Sequence, residues 1–103
     1  MIARQWIGET REAVADAYFK YLEATGAKEC EATKGNHGVW SLRRVHDSKA
    51  EFVFISLWDS FESIQAFAGY DYQKAVYYPE DEKFLLKLNP DVAHYEVLVG
   101  PSH

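Results

Sequence analysis

The pattern of apolar and polar positions changes period in the middle of this chain. Between Phe52 and Trp58 two sets alternate. Phe52, Phe54 and Trp58, with Ser56 among them, point one way; Val53, Ile55 and Leu57 point the other, because strand side chains alternate with period two. A strand that is apolar on both faces needs a cover on each side. At Asp59 the period becomes about 3.6, that of a helix. Asp59 with Glu62 reads as a capping pair. Phe61, Ile64, Phe67 and Ala68 supply an apolar helix face, and Gly69 is a natural stop.

The same reasoning orders the flanks. Ile2 to Ile7 reads as a short strand with Arg4 and Trp6 on one face, ended by Gly8. Thr10 can cap a helix on which Val14, Ala17, Tyr18, Tyr21 and Leu22 share one side, with Gly26 as its stop. Ala27 to Thr33 is mixed and reads as a loop, and Gly35-Asn36-His37-Gly38 as a tight turn. Val39 to Val45 is a strand whose Arg43 and Arg44 suit a sheet edge, joined to the central strand through a hairpin loop at His46 to Lys49. Tyr72 to Tyr77 predicts a short helix. A second helix starts at Pro79, carries Phe84, Leu85 and Leu88 on its apolar face, and ends at Asn89-Pro90. Val92 to Val99 is the last strand.

Strand, helix, strand, strand, helix, short helix, strand is an α+β order, that of the ferredoxin-like split βαβ with a four-stranded antiparallel sheet. The helices cover one sheet face only. Large apolar groups on the other face would expose several hundred Å², roughly the limit a monomer tolerates. A second sheet from an identical subunit is the simplest cover, so a homodimer is expected.

Composition narrows the function. The 103 residues suit one compact domain, 1–103. The net charge of −5 argues against nonspecific nucleic-acid binding and against anionic membrane surfaces. Cys30 is the one cysteine, which excludes an internal disulfide and a thiolate metal cage. No two histidines have helical metal-ligand spacing, so no metal site is expected. The first residues carry no signal-peptide pattern and no apolar run spans a bilayer; a cytoplasmic protein is the expectation. There is no glycine-rich phosphate loop or nucleophile elbow.

Several stretches together resemble a known family: Trp6-x-Gly8, Ala17-Tyr18-x-x-Tyr21-Leu22 with Thr25-Gly26, Gly35-Asn36-x-Gly38, Ser56-x-Trp58-Asp59-Ser60, Phe67-Ala68-Gly69-x-Asp71, Ala75-Val76-Tyr77-Tyr78-Pro79-Glu80-Asp81 and His94-Tyr95-Glu96-Val97. They look like the antibiotic biosynthesis monooxygenase-type proteins of the dimeric α+β barrel superfamily. The resemblance implies a barrel formed by two sheets and a cofactor-independent monooxygenase-like enzyme acting on an aromatic or polycyclic metabolite. A non-catalytic small-molecule-binding or structural homodimer is the alternative. In the quinone-forming branch a Trp ends the central strand, as Trp58 does here, but Phe54 and Ile64 stand where that branch has Asn and Tyr. In the haem-degrading branch an axial His lies by the second helix, whereas Tyr70 to Tyr78 contains none, so no cofactor is expected.

The candidate catalytic group is His94, which can move protons near neutral pH or be a satisfied structural histidine. Trp58 reads as core, with contact to a ligand as the second reading. Arg4, beside Trp6 on one strand face, can pair a substrate carboxylate or Glu96 on a neighbouring strand. Tyr72, Tyr77 and Tyr78 can line the mouth of an aromatic pocket or simply pack. The substrate-binding candidates are therefore Trp58, Arg4, Trp6, Tyr72 and Tyr77. His37, His46 and His103 fall in turns or at the terminus.

Overall fold

Four strands and a set of short helices make up the protein, as a computed structural model that describes residues 1–101. His103 lies outside the described residues. The strands are β1 (Ile2–Arg11), β2 (Asn36–His46), β3 (Lys49–Trp58) and β4 (Ala93–Glu96). They form one sheet of order β2-β3-β1-β4 with every neighbouring pair antiparallel. This is the expected α+β, ferredoxin-like plan, with the long apolar strand β3 beside β1 at the centre. β2 lies at an edge, and its arginines pair with Asp16 (Arg43, 2.7 Å) and Glu51 (Arg44, 2.9 Å).

Burial divides β3 cleanly. Ala50, Phe52, Phe54, Ser56 and Trp58 are buried, while Glu51, Val53, Ile55 and Leu57 are half-buried. The buried set faces the helices together with Arg4, Trp6 and Thr10 of β1. On the opposite face Ile7, Trp40, Leu42 and Tyr95 are exposed beside Val53, Ile55 and Leu57.

Gly8 does not end β1. It pairs with Phe52 in the middle of the strand, where an ideal Cβ would stand 2.2 Å from Cη2 of Trp6. The glycine is there because the Trp6 indole lies across it. β1 therefore reaches Arg11, and Thr10 is a buried strand residue, its hydroxyl donating to the Arg11 carbonyl (2.9 Å), rather than a helix cap.

The helical stretch that follows is longer than the period predicts. A 3-10 turn at Glu12–Val14 leads into α1 (Ala15–Leu22), a π-helical turn at Glu23–Ala27 and α2 (Lys28–Ala32). Gly26 is thus inside the helix, and the region read as a loop is helical. Thr25 donates its hydroxyl to the Tyr21 carbonyl (2.8 Å). The extra residue of the π turn brings Gly26, Ala27 and Cys30 onto the buried side that Ala15, Tyr18 and Leu22 began. Ala17, expected on that side, is exposed.

α3 (Phe61–Ala68) begins and ends near its predicted limits. Its cap is Ser60, whose hydroxyl accepts from the Ser63 amide (3.2 Å), not the expected Asp59 and Glu62; Asp59 instead accepts from the Ser63 hydroxyl (2.6 Å). Gly69 ends the helix at φ 90°. Asn36 opens β2, with a bulge between Asn36 and Gly38 where a free-standing turn was expected. Asp47 and Ser48, at positive φ, make the hairpin turn.

Tyr72 to Tyr77 is not helical. Lys74 forms a bridge with Asp91, and the Ala75 amide donates to the Pro90 carbonyl (2.9 Å). The helix expected from Pro79 to Leu88 shrinks to α4 (Asp81–Phe84), because Leu85 turns extended and bridges Thr10. β4 is likewise shorter than Val92 to Val99. Residues 70–92 therefore form a strap across the helix-covered side, tied down by backbone bridges and by side chains.

Candidate functional site

The space between sheet, α1, α2 and strap is a cavity of about 40 Å³, room for roughly three waters. Its walls are aromatic: Trp6 and Phe54 from the sheet, Tyr18 from α1, Phe67 from α3, Tyr77 and Tyr78 from the strap. The π turn supplies Thr25 and Gly26. Such turns recur at functional sites because they redirect one helix face.

Strand alternation carries Arg4 and Trp6 into this interior, two residues apart. The Trp6 indole N–H donates to the Tyr77 hydroxyl (3.2 Å), which itself donates to the Asn89 carbonyl (2.5 Å). Asn89 closes the chain by donating to the Ile7 carbonyl (2.7 Å). One side of the strap is thus latched to β1. The other side is latched to the helices: the Tyr78 hydroxyl donates to the Glu29 carboxylate, and the Glu80 amide donates to the Tyr21 hydroxyl (3.0 Å).

Arg4 is only 4% exposed. Its Nη1 donates to the Tyr72 carbonyl and, at 3.1 Å, to Nε2 of His94; Nη2 donates to the Lys74 carbonyl (3.0 Å). The guanidinium lies 5.9 Å from the centre of the Phe67 ring. Burial lowers its pKa, an effect that the nearby Cys30 thiol partly offsets. No carboxylate stands within ion-pair distance among the described residues. The expected alternative, a pair with Glu96, does not form: register sets Glu96 opposite Ile2 and His94 opposite Arg4.

His94 must present a lone pair at Nε2 to a guanidinium that can only donate, which makes it the neutral tautomer protonated at Nδ1. Burial, and then the charge of Arg4, lower its pKa. Its ring sits edge-on to Tyr72 (5.3 Å) and Phe61 (5.8 Å). His94, Tyr72 and Arg4 therefore form one cluster, with Arg4 between the histidine and the cavity. Trp58 is fully buried, donates to the Ser56 hydroxyl (2.8 Å) and stacks on Phe67 at 5.8 Å. It supports the cavity wall from behind rather than lining it. Among the six candidates, Arg4, Trp6 and Tyr77 line the cavity.

Sequence reasoning missed four polar groups of this lining. Cys30 is buried beside Arg4 and Ser56; burial pushes its thiol up to about 12, against the opposing charge of Arg4 and a hydrogen bond from Ser56. Asp81 is buried, with Oδ2 accepting from the Tyr78 amide (2.7 Å). Burial raises its pKa, opposed by that bond and by one from Tyr18. Ser56 was legible, as the lone polar residue in an apolar strand. Tyr18 was legible only as a residue on the buried side of its helix, and Cys30 and Asp81 were not, because the π turn and the short α4 that orient them left no periodic signal. No group of three His, Cys, Asp or Glu side chains fit to hold a metal ion occurs among the described residues. No helix of the described residues is long and apolar enough to cross a membrane.

No family model matches the chain, and no curated protein matches it. Solved structures do. A Bacillus cereus protein provisionally assigned as an antibiotic biosynthesis monooxygenase shares 17% identity at a TM-score of 0.68, over 100% of this chain and 96% of its own. The haem degrader MhuD from Mycobacterium tuberculosis, with two haems bound in its active site, shares 20% identity at a TM-score of 0.60, over 99% and 100%. A mutant of MhuD holding two manganese protoporphyrin IX molecules per active site gives 20% and 0.62, over the full length of both chains. The likeness shows the fold: this chain has the α+β architecture of these three structures.

Proposed function

We propose that the chain is a cofactor-independent monooxygenase-like enzyme that takes an aromatic metabolite between its sheet and helices. The observation that carries this reading is the aromatic cavity with a buried guanidinium at one end. Apolar pockets with a few convergent polar groups are where small molecules bind. The fold is shared with a protein provisionally assigned as an antibiotic biosynthesis monooxygenase, which supports the reaction class.

In this reading an activated C–H of the substrate loses its proton to His94, which burial and Arg4 keep neutral. His94 stands behind Arg4, so the substrate has to turn the guanidinium's Nη1 away from Nε2 before the base can reach the proton. The carbanion then reduces dioxygen directly. An activated CH₂ beside the ring becomes C=O, one oxygen atom is kept and the other leaves as water. Arg4 holds the developing oxyanion, the kind of fixed charge that gives such sites most of their effect.

The haem reading has the two MhuD structures behind it. The lining does not fit the group, however. No histidine is among the lining residues, the buried Cys30 thiol is held protonated, and the cavity is far smaller than a macrocycle. The exposed apolar face of Ile7, Trp40, Leu42 and Tyr95 is proposed as the contact with a second copy, closing a barrel of two sheets.

Oxygen uptake with a panel of phenols and anthrone-type compounds tests the activity. Uptake that needs a panel compound and is lost in Arg4→Gln supports it. Binding without uptake across a broad panel turns the reading to the non-catalytic binder. A Soret band that grows to saturation on adding haemin would turn it to haem.

A further inference from the structure

We infer that the ligand of this cavity is a one-ring aromatic compound bearing an anionic oxygen, and that Arg4 is the residue that binds the oxygen. The inference rests on the cavity being the ligand site and specifies what enters it.

A cation taken out of water needs a paired anion or a full set of acceptors. Arg4 has neither. Its three hydrogen bonds go to two carbonyl oxygens and a neutral imidazole. A guanidinium has five N–H groups. Nε–H and one Nη2–H thus have no protein acceptor among the described residues. Asp81, the one carboxyl in the lining, is committed to the Tyr78 amide and to Tyr18 and makes no ion pair with Arg4. Cys30 is buried beside the guanidinium and Ser56, and burial pushes its thiol up to about 12, so it supplies no thiolate. No described residue supplies the counter-charge, and Arg4 Nε is not among the fully buried unpartnered atoms, so a ligand anion reaching it is the group that the free donors fit.

The free donors select its shape. Adjacent N–H groups on a planar fork match a carboxylate with two parallel bonds, or a phenolate with one. Beyond the guanidinium the walls are Phe67, Phe54, Trp6 and Tyr77, which suit a flat ring. At about 40 Å³ the cavity is well below the roughly 150 Å³ that holds benzene, so a single ring enters when the strap yields, and fused rings would require its latches to part.

Calorimetric titration of the wild-type protein with benzoate, benzamide and 4-nitrophenolate is the test. Benzoate or nitrophenolate should bind about tenfold or more tightly than benzamide, which has the same shape without the charge. Whichever anion binds more tightly identifies the oxygen as carboxylate or phenolate. The preference should vanish in Arg4→Gln and persist in part in Arg4→Lys, with circular dichroism confirming the fold. Should Arg4→Gln not fold, the ¹⁵N resonance of the Arg4 Nε–H in the wild-type protein must shift with benzoate and not with benzamide. Equal binding of benzoate, nitrophenolate and benzamide, or a preference that survives in Arg4→Gln, overturns the inference while leaving the cavity as a site. Failure of all three to bind overturns both.

Discussion

Replacing Gly8 by alanine tests how the cavity floor is built. Its backbone is not in the left-handed region, so alanine can adopt the native conformation, and the usual loss of unfolded-state entropy would stabilise the protein by about 0.4–1 kcal/mol. Sterics oppose this. The new methyl would stand 2.2, 2.5 and 3.0 Å from three carbons of the Trp6 indole. A rigid ring cannot yield by bending, so Trp6 must rotate or β1 must move. Overpacking of this kind costs roughly 1–3 kcal/mol, and a rotated indole also loses its contact with the Tyr77 hydroxyl. We expect Gly8→Ala to lose about 1–2 kcal/mol net, which in a domain of this size lowers Tm by on the order of 5–15 °C. Urea titration and thermal melting by circular dichroism measure it. Trp6→Val should relieve the clash, so the double mutant Trp6→Val with Gly8→Ala should show a coupling of at least about 0.5 kcal/mol. A Gly8→Ala protein as stable as the parent, or more stable, would refute the placement of the indole and with it the lining that Trp6 contributes.

Four further outcomes are expected. Trp58→Ala should lose roughly 3–5 kcal/mol, the range for deleting a large buried aromatic, out of a total of about 5–15 kcal/mol; a Tm within a few degrees of the parent by calorimetry would show that Trp58 is not core. His94→Gln keeps an acceptor for Arg4 but cannot take a proton, so turnover of any substrate found should fall about 100-fold or more while Tm holds; a lowered Tm with turnover intact would make His94 purely structural. The same change bears on pH: the folded pKa of His94 lies below its ordinary value, so the unfolded chain binds more protons and stability rises with pH through that window and is lost as pH falls through the folded pKa. Denaturation of wild type and His94→Gln between pH 5 and about 7.5 should show a shallower slope in the mutant, and identical slopes would remove His94 as its source. Finally, light scattering at micromolar protein should give a dimer mass that falls to monomer in Leu42→Glu, on the exposed sheet face; a monomeric wild type would end the two-sheet barrel proposal.

The sequence by itself determined the sheet. Alternation in β3, the run from Ile2 to Ile7 and the hairpin loop at His46 to Lys49 were readable because strand period and turn chemistry are local, and the order of elements then leaves few topologies. The faces of β3 were readable for the same reason, as were the burial of Trp58 and the position of Arg4 beside Trp6. What the sequence could not determine lies wherever a distant contact overrides a local signal. Gly8 and Gly26 carry the local mark of a chain stop, yet one makes room for an indole from its own strand and the other sits in a π turn packed near Tyr78. The polar, tyrosine-rich stretch after Gly69 has a helical spacing, yet its amides find partners across the strap at Pro90 and Asp91. The candidate site depends on these overrides. Arg4 was legible as a candidate, but that its partners are carbonyls and His94 rather than Glu96 follows from the β1–β4 register. Cys30, Tyr18 and Asp81 share its cavity only because helix, sheet and strap pack together, and burial, which shifts all their protonation equilibria, is a property of that packing and of no single stretch of chain.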